Sequence, residues 1–239
     1  MNKEIRLQKY LSMCALGSRR YCEGIIGNGS VMVNGNIVTE MGSRVSPDDD
    51  VSVLGKIVTP IGKRYFILNK PKVVLCVNKD EKGRKYVVDI IRGGRRMGLF
   101  PVGRLDMDTT GLIILTNDGE LSNRIAHPRY GIEKEYRALV KGKWTSGELK
   151  EVMKDGVILE NGSLVTGIQV ISAEIKEDRT CVVIRIHEGR KHVVRRIFRS
   201  VGSRVYELHR TMIGSQGLMG LEHGEYREVA LETLKNNIL

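Results

Sequence analysis

GRLDMDTTGLIILTNDGEL, residues 103–121, sets a polar turn with two carboxylates, Asp106 and Asp108, directly before the apolar run Leu112-Ile113-Ile114-Leu115. The run has strand length, and Asn117-Asp118-Gly119 closes it. The pattern predicts an acid on a loop braced by a buried strand, the setting in which chemistry concentrates. Arg104, two residues before Asp106, is placed to keep one carboxylate ionised and oriented. Two other readings compete. As a cap or turn residue, Asp108 followed by Thr-Thr-Gly is purely structural. As a D-x-D metal site, the pair calls for an uninterrupted apolar strand before the first Asp, whereas residues 99–105 are broken by Pro101, Gly103 and Arg104.

The string G-R-L-D-x-D-T-x-G-L-x-x-L-T-N-D-G-E-L resembles the catalytic motif of the RsuA/RluB family of ribosomal RNA pseudouridine synthases at nearly every fixed position. The resemblance places the catalytic aspartate at Asp106. Other stretches extend it over essentially the whole chain.

The net charge of +11, with an isoelectric point near 9.6, favours a polyanionic partner over an acidic membrane surface. The start, MNKEIRLQKY, is charged and unlike a signal peptide, and no apolar run approaches the ~20 residues of a membrane span. The expectation is a cytoplasmic protein without a membrane segment. Cys14, Cys22, Cys76 and Cys181 are scattered without C-x-x-C spacing and read as reduced packing residues.

In the first 58 residues, Leu7, Tyr10, Leu11 and Cys14 recur at helical spacing over Ile5 to Leu16, and Gly17 stops the helix. Ser18 can cap a second helix from Arg19 to Ile26. Val31-Met32-Val33, Asn34-Gly35 and Ile37-Val38 form the strongest hairpin signal in the chain. This order, with G-S-R-R opening the second helix and V-x-V-N-G at the hairpin, resembles the S-four type RNA-binding domain. The resemblance implies that Arg19 and Arg20 contact RNA phosphates, with Lys9 and Arg6 beside them; such contacts position RNA without reading its sequence. The segment is nearly neutral, with seven basic and six acidic residues, so residues 59–239 carry almost the entire net charge. GKIVTPIG, residues 55–62, reads as the boundary, giving an RNA-binding domain over 1–58 and a catalytic domain over 63–239.

In the second domain Tyr65-Phe66-Ile67-Leu68 reads as a buried strand leading into Asn69-Lys70-Pro71, similar to the family's first, chiefly structural motif. The basic stretch from Lys82 to Arg96, with Arg84 and the pair Gly93-Gly94, suits a phosphate-tracking loop. A helix is expected over Gly119 to Ala126, ended by His127-Pro128, then a half-buried strand Lys134 to Val140, a helix within Trp144 to Gly156 that starts at Thr145 or Ser146, and strands over Gly162 to Ile175 and Thr180 to His187. These predict an α+β body on a mixed, mainly antiparallel sheet. Tyr136 alone is a core aromatic; the K-x-Y string resembles the family's second motif, which implies a tyrosine that stacks on the target base.

EGRKHVVRRIFRSVGSR, residues 188–204, sets six basic side chains against one acid, with Val193, Val194, Ile197, Phe198 and Val201 as a buried stripe. A helix so cationic is an electrostatic seat for RNA, with Arg190 and Arg196 among its candidate contacts. His187-Glu188 with His192 does not make H-E-x-x-H, because the histidines are five apart. The string E-G-R-x-H-x-V-R-R-x-F resembles the third family motif, implying that Arg195 pairs with Asp106; the family usually has Gln or Glu where Val193 stands. Leu208-x-Arg210-x-x-Ile213-Gly214 is similar to the last motif, implying that Leu208 packs on the base.

The implied activity converts a uridine of ribosomal RNA to pseudouridine: the C1′–N1 bond breaks, uracil turns, and C5 joins C1′. No redox change occurs, and no metal or other cofactor is expected. The implied partner is ribosomal RNA or an assembly intermediate, large-subunit RNA being favoured over small-subunit RNA, and nothing demands more than a monomer. The rival of another class is a non-catalytic RNA-binding assembly protein, which shares the charge and the first domain.

Overall fold

The run after the aspartate turn forms strand Thr110–Thr116, buried at all seven positions. The computed structural model, which describes residues 4–76 and 85–239, sets this strand inside a large mixed sheet. Its main strands are β1 (Tyr65–Lys70), β2 (Thr110–Thr116), β3 (Lys134–Lys141), β4 (Gln169–Lys176), β5 (Arg179–Ile186), β6 (Val205–Ile213) and β7 (Tyr226–Glu228). They lie in the order β4-β5-β3-β6-β2-β1-β7, with Phe100–Pro101 pairing against the end of β2. All neighbours are antiparallel except β2 and β6. The class is α+β, as expected.

Helices among the described residues are α1 (Leu7–Met13), α2 (Arg19–Gly27), α3 (Val87–Ile90), α4 (Gly119–Ala126), α5 (Ser146–Met153), α6 (Val193–Ser200) and α7 (Leu231–Ile238). β1 and β2 read as unbroken apolar runs because both faces are covered. One face joins a core with Val193, Val194, Ile197 and Phe198 of α6; the other joins a core with Leu121 and Ile125 of α4 and Leu234 and Ile238 of α7. No helix of the described residues is long and apolar enough to cross a membrane.

β2 and β6 approach closely because the residue facing Arg210 is Gly111. Its φ is +107°, and a Cβ there would stand 2.2 Å from the Arg210 carbonyl oxygen. The register then aligns Lys70, Gly111, Arg210 and Tyr136 across four adjacent strands. That row runs behind the aspartate turn.

The N-terminal part departs from expectation in two places. Ile5–Arg6 pairs as a short strand with Arg44–Val45, and Leu7 N–H donates to Ser43 O at 2.8 Å, so the helix starts at Leu7. It ends at Met13, with Ala15 already left-handed (φ 58°). A second hairpin, Val51–Val53 with Lys56–Ile57, turns at Leu54-Gly55, both at positive φ. Leucine there hides the hairpin signal, so the stretch read as linker begins inside the small sheet. The Ser18 hydroxyl caps α2 from Tyr21 N–H at 3.2 Å.

Elsewhere the helix expected between Trp144 and Gly156 starts at Ser146, one of its two expected starts, where Thr145 and Glu148 form a capping box, but it ends at Met153, short of Gly156. The strand expected from Gly162 is split into Leu164–Val165 and β4 around Gly167 at φ 68°. The basic segment from Glu188 is helical only over α6, residues 188–192 forming a loop.

Candidate active site

The aspartate turn is held from below by a buried cation. Lys70, fully buried, donates from Nζ to the carbonyls of Thr109 (2.8 Å), Pro71 (3.0 Å) and Met107 (3.4 Å). Thr109 N–H closes the turn on Asp106 O at 3.1 Å, and Val73 N–H donates to Met107 O at 2.9 Å. Burial pulls the Lys70 ammonium below its ordinary range, while Cys76, Asp108 and Asp106 act the other way. The backbone of the turn is therefore fixed, and the Asp106 carboxylate is left partly open to solvent.

In front of the turn lies a cavity of about 210 Å³. Arg104, Asp106, Tyr136, Arg190, His192 and Leu208 line it, with Lys134 and Arg210 as further cations on its wall. Tyr136 is 7% exposed and faces Arg210 across the β3–β6 pair; Leu208 is 5% exposed. Arg210 is anchored to the fold through its Nε, which donates to Leu112 O at 2.8 Å. Lys134 donates to Ile132 O at 2.7 Å, and burial, with Arg210 adding, brings its pKa down to about 8. The cavity joins a carboxylate, an aromatic ring, an aliphatic wall and several cations, a combination suited to a flat base carrying a phosphate.

The expected ion pair between Arg195 and Asp106 is replaced by another arrangement. His192 Nε2 lies 3.2 Å from Asp106 Oδ1, whereas Arg195 Nη2 lies 2.7 Å from Asp108 Oδ2 and its Nη1 donates to Val205 O at 3.2 Å. The helix phase explains this. His192, left-handed at φ 55°, ends the loop over the turn; Val193 and Val194 follow into the cavity, and Arg195 lies a further step of about 100° round α6. Asp106 and Asp108 thus turn to separate partners instead of converging as a D-x-D metal pair does.

The other predicted residues divide. Arg190 lines the cavity and pairs with Glu188 at 2.7 Å; Arg104 lines it exposed. Arg196, expected on RNA, does not line the cavity and pairs with Glu160 at 2.7 Å. Lys9, expected on phosphate, bridges to Glu120 of α4 at 2.8 Å. Arg19 lies over the same helix start, 3.4 Å from where a Gly119 Cβ would be, and lines a cleft of about 700 Å³ between the N-terminal helices and α4. Arg20 is exposed and has no ion pair among the described residues. Arg84 lies outside the described residues.

The second half of the opening motif is structural. Asp118 caps α4, accepting from Glu120 N–H (3.0 Å), Leu121 N–H (3.3 Å) and the Tyr65 hydroxyl (3.1 Å), with Lys63 Nζ at 2.9 Å. Burial pushes its carboxyl up, but Lys63 and the amides outweigh that and hold it below its ordinary range. The Asn117 amide donates to Gly62 O and Met97 O and accepts from Arg64 N–H, tying three segments together.

A model of the RNA pseudouridylate synthase family matches residues 64–200, and an S4 domain model matches residues 5–51. The chain belongs to the RNA pseudouridylate synthase family. This synthase is 45% identical over 229 residues to an uncharacterized RNA pseudouridine synthase of Aquifex aeolicus, covering 95% of this chain and 90% of that one. It is 39% identical to ribosomal large subunit pseudouridine synthase B of Bacillus subtilis, covering 96% and 94%. A crystal structure of a pseudouridylate synthase superposes with a TM-score of 0.66 at 31% identity, covering 97% and 98%.

Three members of the synthase site escape sequence reasoning. His192 stood in the third motif string and in a rejected zinc pattern, without a role assigned to it. Lys70 stood in the Asn69-Lys70-Pro71 motif, read as chiefly structural, without its place under the aspartate turn. Lys134 was legible only as the first letter of K-x-Y.

Proposed function

We infer that this enzyme isomerises a uridine of large-subunit ribosomal RNA to pseudouridine in the cytoplasm, acting as a single chain without a cofactor. One observation carries the reading: Asp106, on a turn fixed by Lys70, opens into the same small cavity as Tyr136 and Leu208. The large-subunit assignment is supported by the similarity to the ribosomal large subunit pseudouridine synthase B of Bacillus subtilis.

In this reading the uridine leaves its helix, at a cost of a few kcal/mol, and uracil enters between Tyr136 and Leu208. Stacking on an aromatic ring contributes about 1–3 kcal/mol. Asp106 then acts on the ribose, as nucleophile at C1′ or as base at C2′; both begin from the carboxylate and release the N1–C1′ bond. Uracil leaves as its N1 anion and turns within the apolar walls; C5 bonds to C1′ as Asp106 gives up its bond to C1′ or returns the C2′ proton, and the C5 proton is lost beside Tyr136 while N1 takes up a proton. Atoms and electrons balance without an oxidant or metal. His192 holds Asp106 from the solvent side, and Arg195, through Asp108, stiffens the far end of the turn. Arg104 and Arg190 sit at the mouth, where the phosphates of the everted nucleotide would lie.

The test is deletion of the gene in its host, carbodiimide primer-extension mapping of the large-subunit and small-subunit ribosomal RNAs, and complementation with wild type or Asp106→Asn. Loss of one large-subunit pseudouridine, restored only by wild type, is the expected result. Persistence of every site refutes the reading and favours the non-catalytic RNA-binding alternative. Loss in small-subunit RNA instead refutes the subunit assignment alone.

A further inference from the structure

Successive residues of a strand point to opposite faces of a sheet. Tyr136 and Leu208 line the catalytic cavity from β3 and β6, so their neighbours Arg137 and His209, which are register partners, point to the reverse face. There they meet a second cavity of about 620 Å³. Its floor is Leu139, Cys181 and His209, and its rim carries Lys72, Arg137 and Lys176. The rim acid, Glu207, lies 3.6 Å from Lys72, and Lys176 lies 3.5 Å from Glu174. Arg137 is exposed and has no hydrogen bond or ion pair among the described residues.

The floor is weakly polar. His209 Nδ1 sits 2.8 Å from Thr110 Oγ1, and the His223 ring stands edge-on to it at 5.6 Å. Burial, with Arg137 and His223 adding, pushes the His209 pKa down to about 4, which leaves a neutral ring at physiological pH. A neutral aromatic and aliphatic floor under a cationic rim matches a nucleotide: stacking for the base, cations for the phosphate.

The cavity also lies at the end of the sheet that carries the aspartate turn. Thr110 follows that turn directly, and Lys72 is two residues beyond Lys70, whose ammonium holds it. A strand leaving the catalytic cavity over the turn therefore reaches the rear cavity without crossing the sheet.

We propose that the rear cavity binds a phosphate-bearing nucleotide of the substrate RNA flanking the reacting uridine, so that the RNA grips the sheet from both faces. The proposal rests on RNA isomerisation as the activity. It assigns to Arg137, Lys176 and His209 a binding role and no part in the chemistry.

The test uses the full chain and in vitro transcribed large-subunit ribosomal RNA, with filter binding between about 50 and 200 mM salt. In Arg137→Ala/Lys176→Ala, two lost phosphate contacts lower the slope of log K against log salt by about 1.4–1.8. Single-turnover isomerisation at saturating RNA stays at the wild-type rate, and Arg137→Lys retains most of the slope. Because both side chains are exposed, an unchanged urea midpoint excludes misfolding as the cause. A double variant with wild-type affinity and slope, beside a wild type that isomerises this RNA, overturns the proposal and leaves the activity standing. Weaker binding to ribosomal particles with unchanged binding to naked RNA also overturns it, assigning the cavity to an acidic protein. If the wild type forms no pseudouridine in this RNA, the substrate reading fails first and the rear site falls with it.

Discussion

Lys134 is a charge kept in the cavity at a measurable cost to stability. It is 7% exposed, and its pKa falls from 10.5 to about 8, chiefly through burial. A unit of pKa is 1.36 kcal/mol, so confining the ammonium there disfavours the folded state by about 3 kcal/mol at neutral pH. Lys134→Met keeps the length of the side chain and removes the charge. It also leaves Ile132 O without its donor, a loss of about 1 kcal/mol. The variant is therefore expected to be more stable than wild type by about 2 kcal/mol at pH 7. The pH dependence follows in sign. The unfolded chain keeps this proton up to its pKa of 10.5, while the folded chain releases it near 8. Between these values the unfolded state binds more protons, so wild-type stability rises with pH relative to the variant and their difference closes. Urea denaturation of both proteins at pH 7, 8, 9 and 10 measures that difference and cancels the other titrating groups. A Met variant less stable than wild type at pH 7, or a gap constant from pH 8 to 10, would refute the argument. The same variant should lose isomerisation activity, because a charge held against its own desolvation points to use in binding or catalysis.

Gly111→Ala should destabilise by about 3 kcal/mol or more, since its Cβ would meet Arg210 backbone atoms at 2.2, 2.6 and 2.9 Å in a left-handed conformation; a thermal melt within 2 °C of wild type would contradict this. His192→Gln should cut the single-turnover rate by up to about a hundredfold with RNA affinity unchanged, as the Asp106 carboxylate loses the group that orients it; an equal loss of affinity would make His192 an RNA ligand instead. A double-mutant cycle on Lys9 and Glu120 should give a coupling under about 1 kcal/mol that fades with salt, because Glu120 is 73% exposed in its side chain.

The features legible in the sequence are those that repeat locally. Alternation and unbroken apolar runs located β1, β2 and β3; Ser18, Asp118 and the Asn34-Gly35 pair announced their caps and turn in their own chemistry. The small sheet was half visible, because its second hairpin turns at Leu54-Gly55, where leucine takes a conformation it normally avoids. Partners of charged side chains were the least legible. Lys9, Arg195 and Arg196 are all basic residues near the expected place, but what each one touches depends on helix phase and on acids far off in sequence: Glu120, Asp108 and Glu160.

The row Lys70, Gly111, Arg210, Tyr136 explains why fragments so distant in sequence form one site. β2 and β6 are the parallel neighbours in this sheet, and their approach at Gly111 brings the strand carrying Leu208 against the strand that follows Asp106. Lys70, from the next strand over, reaches the aspartate turn because Gly111 places no side chain in its way. Arg210 supports β2 through Leu112 O while standing opposite Tyr136. The ring that would hold uracil and the leucine beside it are therefore spaced by backbone pairing, and the acid by a turn that Lys70 fixes at the end of the same row. That arrangement gives a rigid seat for a base that must detach, rotate and rebond without escaping. It leaves His192 and the cationic mouth to adjust when RNA arrives.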